Sequence, residues 1–145
     1  MQIIPIADRK QLDILRGRNA AFGNLIFSFT EAYIEQLSGY LESKHAFQIL
    51  AKEGTDFVGY LAAAETLWSN HLTIIEVFIA PAFQGKGVGT MLVERAIAFA
   101  KQEKLRGMVV QTERENIPAQ KLYGRIGFRK FENPEWEGIS YKLSL

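Results

Sequence analysis

Three glycines at alternate positions, Gly85, Gly87 and Gly89, sit in the run Pro81-Ala82-Phe83-Gln84-Gly85-Lys86-Gly87-Val88-Gly89-Thr90, and that spacing suits the binding of an anion. Without Cβ atoms a turn can bring several backbone N–H groups against one ligand, and a helix that starts at its end adds partial positive charge. A phosphate or pyrophosphate is the natural guest. A plain tight turn would account for a lone glycine pair, but it accounts less well for three glycines flanked by Gln84 and Lys86. Two familiar phosphate loops do not fit. A P-loop has Ser or Thr directly after its Gly-Lys, whereas Gly87 follows Lys86. The dinucleotide fingerprint sets its last two glycines three apart, whereas Gly87 and Gly89 are two apart.

Glu76 is the second residue that could do chemistry, being the only charge between Leu72 and Ala80. Strand alternation would put it on the face of Ile74 and Phe78. A carboxylate in apolar surroundings must be paired or must line a cavity. Glu76 therefore reads as a general base acting through a water, as an anchor for a cationic amine, or as a buried salt-bridge partner. Glu132, Glu135 and Glu137 form an acidic stretch around Trp136. Phe22, Phe27, Phe29, Tyr33 and Trp68 could line a pocket, although aromatics at such spacings are more often core.

Composition narrows the classes. The chain has 145 residues, 48% of them hydrophobic, which is one domain's worth and enough for a core without disulfides or a structural metal. It has no cysteine, so a disulfide framework, a thiolate zinc site and a cysteine acyl-enzyme are excluded, and a reducing, cytoplasmic setting is expected. His45 and His71 are too few and too far apart for an ordinary metal cluster, so no metal is expected. A net charge of +1 lacks the concentrated positive charge of a nucleic-acid binder. The start, Met1-Gln2-Ile3-Ile4-Pro5-Ile6, has neither a basic leader nor a long apolar run, so no membrane partner is expected. The oligomer is left open, a homodimer included.

The elements that must position these residues read as follows. A strand over Ile3 to Ile6 precedes a helix capped by Asp8. A second helix opens at Ser28-Phe29-Thr30-Glu31 in a capping-box pattern and carries Tyr33, Leu37 and Tyr40/Leu41 at helical spacing, with Phe22-Gly23-Asn24 between the two as a loop. Ala46 to Lys52 and Asp56 to Thr66 make an antiparallel pair turning at Glu53-Gly54-Thr55. Leu72 to Ala80 suggests a strand covered on both faces, with His71 before it in a loop. Val88 to about Lys101 is an amphipathic helix, Gly107 to Thr112 a strand, Pro118 to Ile126 a short helix, and Ile139 to Leu145 a last strand whose Ser140, Lys142 and Ser144 face water. The sum is one mixed α/β domain over residues 1–145.

The loop and a second segment downstream together resemble the GNAT superfamily of N-acyltransferases. Gln84, Gly87 and Gly89 match its Arg/Gln-x-x-Gly-x-Gly/Ala signature between a strand and a helix. Asn116-Ile117-Pro118-Ala119-Gln120-Lys121-Leu122-Tyr123 and Gly127-Phe128 look like its Asn-x-x-Ala-x-x-x-Tyr and Gly-Phe elements. The resemblance covers Leu72 to Phe128. It implies an α+β fold with a mixed, mostly antiparallel sheet, helices on both faces and a splayed central strand pair. It also implies acetyl-CoA as acyl donor, with its pyrophosphate on the loop formed by Gln84, Gly85, Lys86, Gly87, Val88, Gly89 and Thr90. Main-chain groups of Phe78 and Ile79 would pair with the pantetheine amides as an added strand would. Tyr123 would protonate the leaving thiolate, unless it only packs with Ala119, Leu122 and Ile126. Asn116 would touch the cofactor, cap the following helix, or do both; Lys86 and Lys121 would neutralise phosphates or simply be solvated. The acidic stretch at Glu132 to Glu137 would border the acceptor cleft and favour a small cationic amine. The implied reaction is direct acetyl transfer to the primary amine of a small molecule, with a peptide or protein amine, or a silent CoA-binding module, as alternatives.

Overall fold

The computed structural model describes residues 1–22 and 25–145. Gly23 and Asn24 of the expected loop lie outside the described residues, as do the side chains of Phe22 and Phe27. The elements are β1 (Gln2–Pro5), a 3-10 helix (Arg9–Leu15), β2 (Asn19–Phe22), β3 (Leu25–Ser28), α1 (Glu31–Gly39), β4 (Phe47–Glu53), β5 (Asp56–Ala64), β6 (His71–Ile79), α2 (Val88–Gln102), β7 (Gly107–Thr112), α3 (Ile117–Ile126), β8 (Arg129–Phe131) and β9 (Ile139–Ser144). The main sheet runs β1-β4-β5-β6-β7-β9-β8, with β2 joined to β3 and β6. Among the described residues, only β6 and β7 pair in parallel.

Helices cover both faces of this sheet. On one, Val88, Leu92, Val93, Ala96 and Ala100 of α2 and Tyr123 of α3 pack over Ile49, Leu61, Leu72, Ile74 and Met108. On the other, Leu12 and Leu15 of the 3-10 helix and Ile34 and Leu37 of α1 pack over Leu50, Tyr60 and Phe78. Every residue of β5 after Asp56 is buried, so the strand covered on both faces is β5. In β6 residues 75–77 are only half-buried, because they line a cleft.

Local chemistry explains where the elements depart from their expected form. Asp8 caps as its side chain allows, accepting from the Gln11 N–H at 3.0 Å, while the Gln11 side chain accepts from the N–H groups of Ala7 and Asp8. The segment then closes as a 3-10 helix, whose three-residue turn stacks Leu12 and Leu15 on the core side. Thr30, and not Ser28, caps α1, accepting from the Tyr33 N–H at 3.2 Å. Ser28 ends β3 and donates to the Asn19 side chain at 2.8 Å. The hairpin of β2 and β3 and the short β8 are additional strands. His71 opens β6 instead of lying in a loop, its Nδ1 2.9 Å from the Ser69 carbonyl. In β9, Ser140 is buried on the face expected to be wet, beneath the 132–138 segment, whose Asn133 Nδ2 donates to its hydroxyl at 3.4 Å.

Candidate active site

The cleft is a consequence of register. β6 and β7 pair from His71↔Gly107 to Ile74↔Val110 and then separate, although both strands continue. At the far end Ile79 is paired with Gly59 of β5 on one side and Ala21 of β2 on the other. The edge of β6 open toward the cleft among the described residues is therefore residues 75–77. Opposite, the β5 pairing jumps from Ala62↔Glu76 to Ala63↔Ile74, so Ile75 is a bulged extra residue. The bulge resets alternation. Ile74 belongs to the core under α2, whereas Phe78 and Ile75 belong to the core under α1. Glu76 thus shares the face of Phe78 but not that of Ile74, which corrects the simple alternation expected from sequence.

Glu76 lies in a cleft of about 1050 Å³ that Tyr33, Tyr40, Asn116, Tyr123 and Trp136 also line. The Tyr33 hydroxyl on α1 donates to its carboxylate. No Lys, Arg or His pairs with it among the described residues. Burial pushes the Glu76 pKa up, a shift the Tyr33 hydrogen bond partly offsets. The charge expected to be paired or facing a cavity takes the second course.

Tyr123 reaches the same cleft from α3. It is 3% exposed, with its ring edge against Phe128 and tilted toward Tyr141. No hydrogen bond to its hydroxyl forms among the described residues. Burial, and the Glu76 carboxylate behind it, raise the phenol's pKa, so it stays protonated at neutral pH. Asn116 does two things at once. Its Oδ1 caps α3 by accepting from the Ala119 N–H at 3.2 Å, and its buried Nδ2 finds no partner among the described residues.

The glycine loop stands at the start of α2. Gly85 and Gly87 have φ of +73° and +83°, a conformation other residues rarely adopt, with open space where a Cβ would be. No side chain caps the helix, and no carbonyl accepts from the N–H groups of residues 85–90 among the described residues. Gly89 serves packing instead, since a Cβ there would stand 3.3 Å from Leu122 of α3. Val88 turns its side chain into the core, leaving its N–H to the loop. Lys86 lies over the Phe83 ring at 5.6 Å, Gln84 is exposed, and Thr90 is half-buried.

Free N–H donors and the Asn116 amide fit the phosphates and amides of CoA. The open edge at 75–77 offers main-chain groups, and it ends at Phe78, whose side chain is core. Among the described residues, no group of three His, Asp or Glu could hold a metal.

Several residues that sequence reasoning did not single out also line the cleft, namely Tyr40, Thr73, Thr112, Glu113 and Glu115. Glu113 and Glu115 directly follow β7, and a carboxylate just past a strand end beside a candidate Asn was the available signal. Glu132, Glu135 and Glu137 do not line it, and neither do Phe29, which is core, or Trp68, which leans on His71 and Phe131. Trp136 does, held down because Gly138 offers no Cβ to collide with its indole and the Thr112 carbonyl.

The profile of the family described as acetyltransferase (GNAT) matches residues 14–128. Streptothricin acetyltransferase of Streptomyces lavendulae is 33% identical over 73 residues, which make up 50% of this chain and 39% of that relative, so the chain spans well under two thirds of its length. The paiA N-acetyltransferase of Thermoplasma acidophilum, solved in complex with coenzyme A, superposes with a TM-score of 0.75 at 14% identity, covering 100% of both chains. IAA acetyltransferase of Bacillus cereus superposes with a TM-score of 0.70 at 21% identity, covering 99% of each. These two likenesses establish the fold. With a profile match running through the glycine loop, the split strands and the Asn116–Tyr123 helix, the chain belongs to the acetyltransferase (GNAT) family.

Proposed function

We propose that this protein transfers an acetyl group from acetyl-CoA to the primary amine of a small molecule, by direct attack of the amine. The observation that carries the reading is the meeting, in one cleft, of the Glu76 carboxylate, which has no cationic partner among the described residues, and the protonated Tyr123 hydroxyl, which has no hydrogen bond among them. Acetyl-CoA supplies the acyl group already activated as a thioester. The N–H groups of residues 85–90 bind its diphosphate, and the open edge of β6 orients its extended arm. Glu76 takes the proton that the amine must lose, directly or through a water, as nitrogen bonds to the acyl carbon. Tyr123 gives its proton to sulfur as the carbon–sulfur bond breaks. With no cysteine in the chain, no thioester to the protein is needed.

The test is a melting curve with acetyl-CoA followed by free-thiol release over amino acids, polyamines, aminoglycosides and peptides. A ligand that binds only the folded state raises the melting temperature by mass action, and thiol release with at least one small amine is the expected outcome. A thermal shift without thiol release across the panel would leave a CoA-binding module. Release with peptides alone would move the acceptor to the protein class.

A further inference from the structure

We propose, building on the acetyl-transfer reading, that Tyr33 is a positioning residue: α1 holds its hydroxyl on one oxygen of the Glu76 carboxylate, which fixes that side chain and leaves the other oxygen to the acceptor amine. Tyr33 and Tyr40 are seven residues apart, about two helical turns, and both line the cleft, while Ile34 and Leu37 between them are core. The Tyr33 ring meets Phe29 and Phe78 edge to face, 5.9 Å from each. Phe78 is two residues from Glu76 on the same face of β6, so one strand carries both the carboxylate and a ring that steadies its donor. Beside Glu76 in register on β5 is Ala62, whose methyl leaves the space over the carboxylate to a larger neighbour. The helix is itself tied to the sheet. Gln48 of β4, 2% exposed, donates to the Leu37 carbonyl at 2.9 Å and accepts from the Tyr60 hydroxyl at 2.6 Å.

That last bond rules out a rival donor. Tyr60 of β5 also lies near Glu76, but its proton is on Gln48. The other titratable groups around the carboxylate are Tyr123 of α3, Tyr40, and Glu113 and Glu115 beyond β7. Among the described residues, only Tyr33 gives it a side-chain hydrogen bond. The last torsion of a glutamate is broad, so a carboxylate with no cation to hold it needs such a donor to keep one direction. Burial, then the Glu76 charge, keep the phenol above its ordinary range, so it is still a donor at neutral and mildly alkaline pH. The bond favours the charged form of Glu76 and draws its pKa down against the push of burial. Deleting the hydroxyl should therefore raise that pKa.

The experiment is an NMR titration of the glutamate carboxyl carbons in the free protein, the Glu76 signal being the one missing from Glu76→Gln. Tyr33→Phe keeps the ring against Phe29 and Phe78 and removes only the hydroxyl. Its Glu76 midpoint should lie at higher pH than in the wild type, and a midpoint that is unchanged or lower overturns the proposal. In the wild type, with no change at position 33, the Tyr33 ring carbon that bears the hydroxyl should shift in step with Glu76. A signal that ignores that titration overturns the proposal as well. Kinetics with an accepted amine read the consequence. Tyr33→Phe should lower turnover roughly tenfold, the worth of a hydrogen bond to a charged group, and leave the acetyl-CoA melting shift as it is. Added to Glu76→Gln it should cost almost nothing further, since no base is left to aim. An equal loss in both backgrounds gives Tyr33 a role of its own and overturns the proposal. A panel in which no amine is acetylated, with the Glu76 midpoint displaced as expected, sinks the acetyl-transfer reading alone, whereas an unmoved midpoint with amines acetylated sinks this one alone.

Discussion

Replacing Glu76 by Gln should pull stability and activity in opposite directions. A carboxyl whose pKa is higher folded than unfolded takes up protons on folding, so stability falls as pH rises from the unfolded value, about 4.3, through the raised one, and stays lower above it. Glu76→Gln keeps an acceptor for the Tyr33 hydroxyl and removes the buried charge. The unliganded variant should melt about 2–4 °C above wild type at pH 8, the shift that about 1 kcal/mol gives in a domain of this size, and level with it near pH 4. Turnover should fall by roughly ten-fold or more. A lower melting temperature at pH 8 would mean that the carboxylate is favourably held. Tyr123→Phe keeps the ring against Phe128 and Tyr141 and deletes only the hydroxyl. Normal folding and CoA binding with turnover down by roughly ten-fold to a thousand-fold are expected, and wild-type turnover under chemistry-limited conditions would remove Tyr123 from the acid role. Glu76 was legible in the sequence because a lone charge in an apolar strand has few explanations. Its side of the sheet was not, because a bulge at Ile75 depends on the β5 register and leaves no local mark. Glu113 and Glu115 were hidden for another reason, since charged residues in a polar loop look like ordinary solvated surface.

Elements were legible where a pattern is long and local. The apolar run of β6, the helical period of α2 and the Asn116-Ile117-Pro118 start of α3 each carry their own signal, and each forms within a residue or two of its expected place. The hairpin of β2 and β3 was not legible, as Asn19-Ala20-Ala21-Phe22 is too short and too poor in β-branched residues to announce a strand. Its bridge to β6, Ala21↔Ile79, is a tertiary contact. At the glycine loop, Gly87→Ala tests the backbone directly. A Cβ at φ +83° meets no neighbour but forces the left-handed conformation, at roughly 1–2 kcal/mol. The variant should melt lower without ligand and show a smaller acetyl-CoA shift. An unchanged shift in folded Gly87→Ala would place the diphosphate elsewhere.

At the scale of the whole molecule, one junction should add stability as pH rises. Glu65, just after β5, accepts from the Asn70 N–H at 2.7 Å and meets His45 Nδ1 at 2.7 Å, with Lys44 at 3.9 Å. The Asn70 hydrogen bond first, then His45 and Lys44, hold its carboxyl below the usual carboxylate range. A depressed folded pKa gives stability that is present above the unfolded value and lost as pH falls through the folded one. Glu65→Gln should therefore melt lower than wild type at pH 7, and the gap should close below about pH 4. A gap that persists in acid would assign the effect to packing. The open stretch of β6 has a mechanical consequence as well. β1, β4, β5 and β6 form one plate and β7, β9 and β8 another, stitched at one end by the register from His71 to Ile74. Such an assembly has no backbone hydrogen bonds across its gap among the described residues until something bridges it. An extended ligand arm lying along residues 75–77 would act as the missing strand and turn two plates into one. Amide hydrogens at 75–77 that point away from β5 should then exchange quickly in the free protein and slowly with acetyl-CoA, and slowing should spread into β7 and β9, which the ligand need not touch.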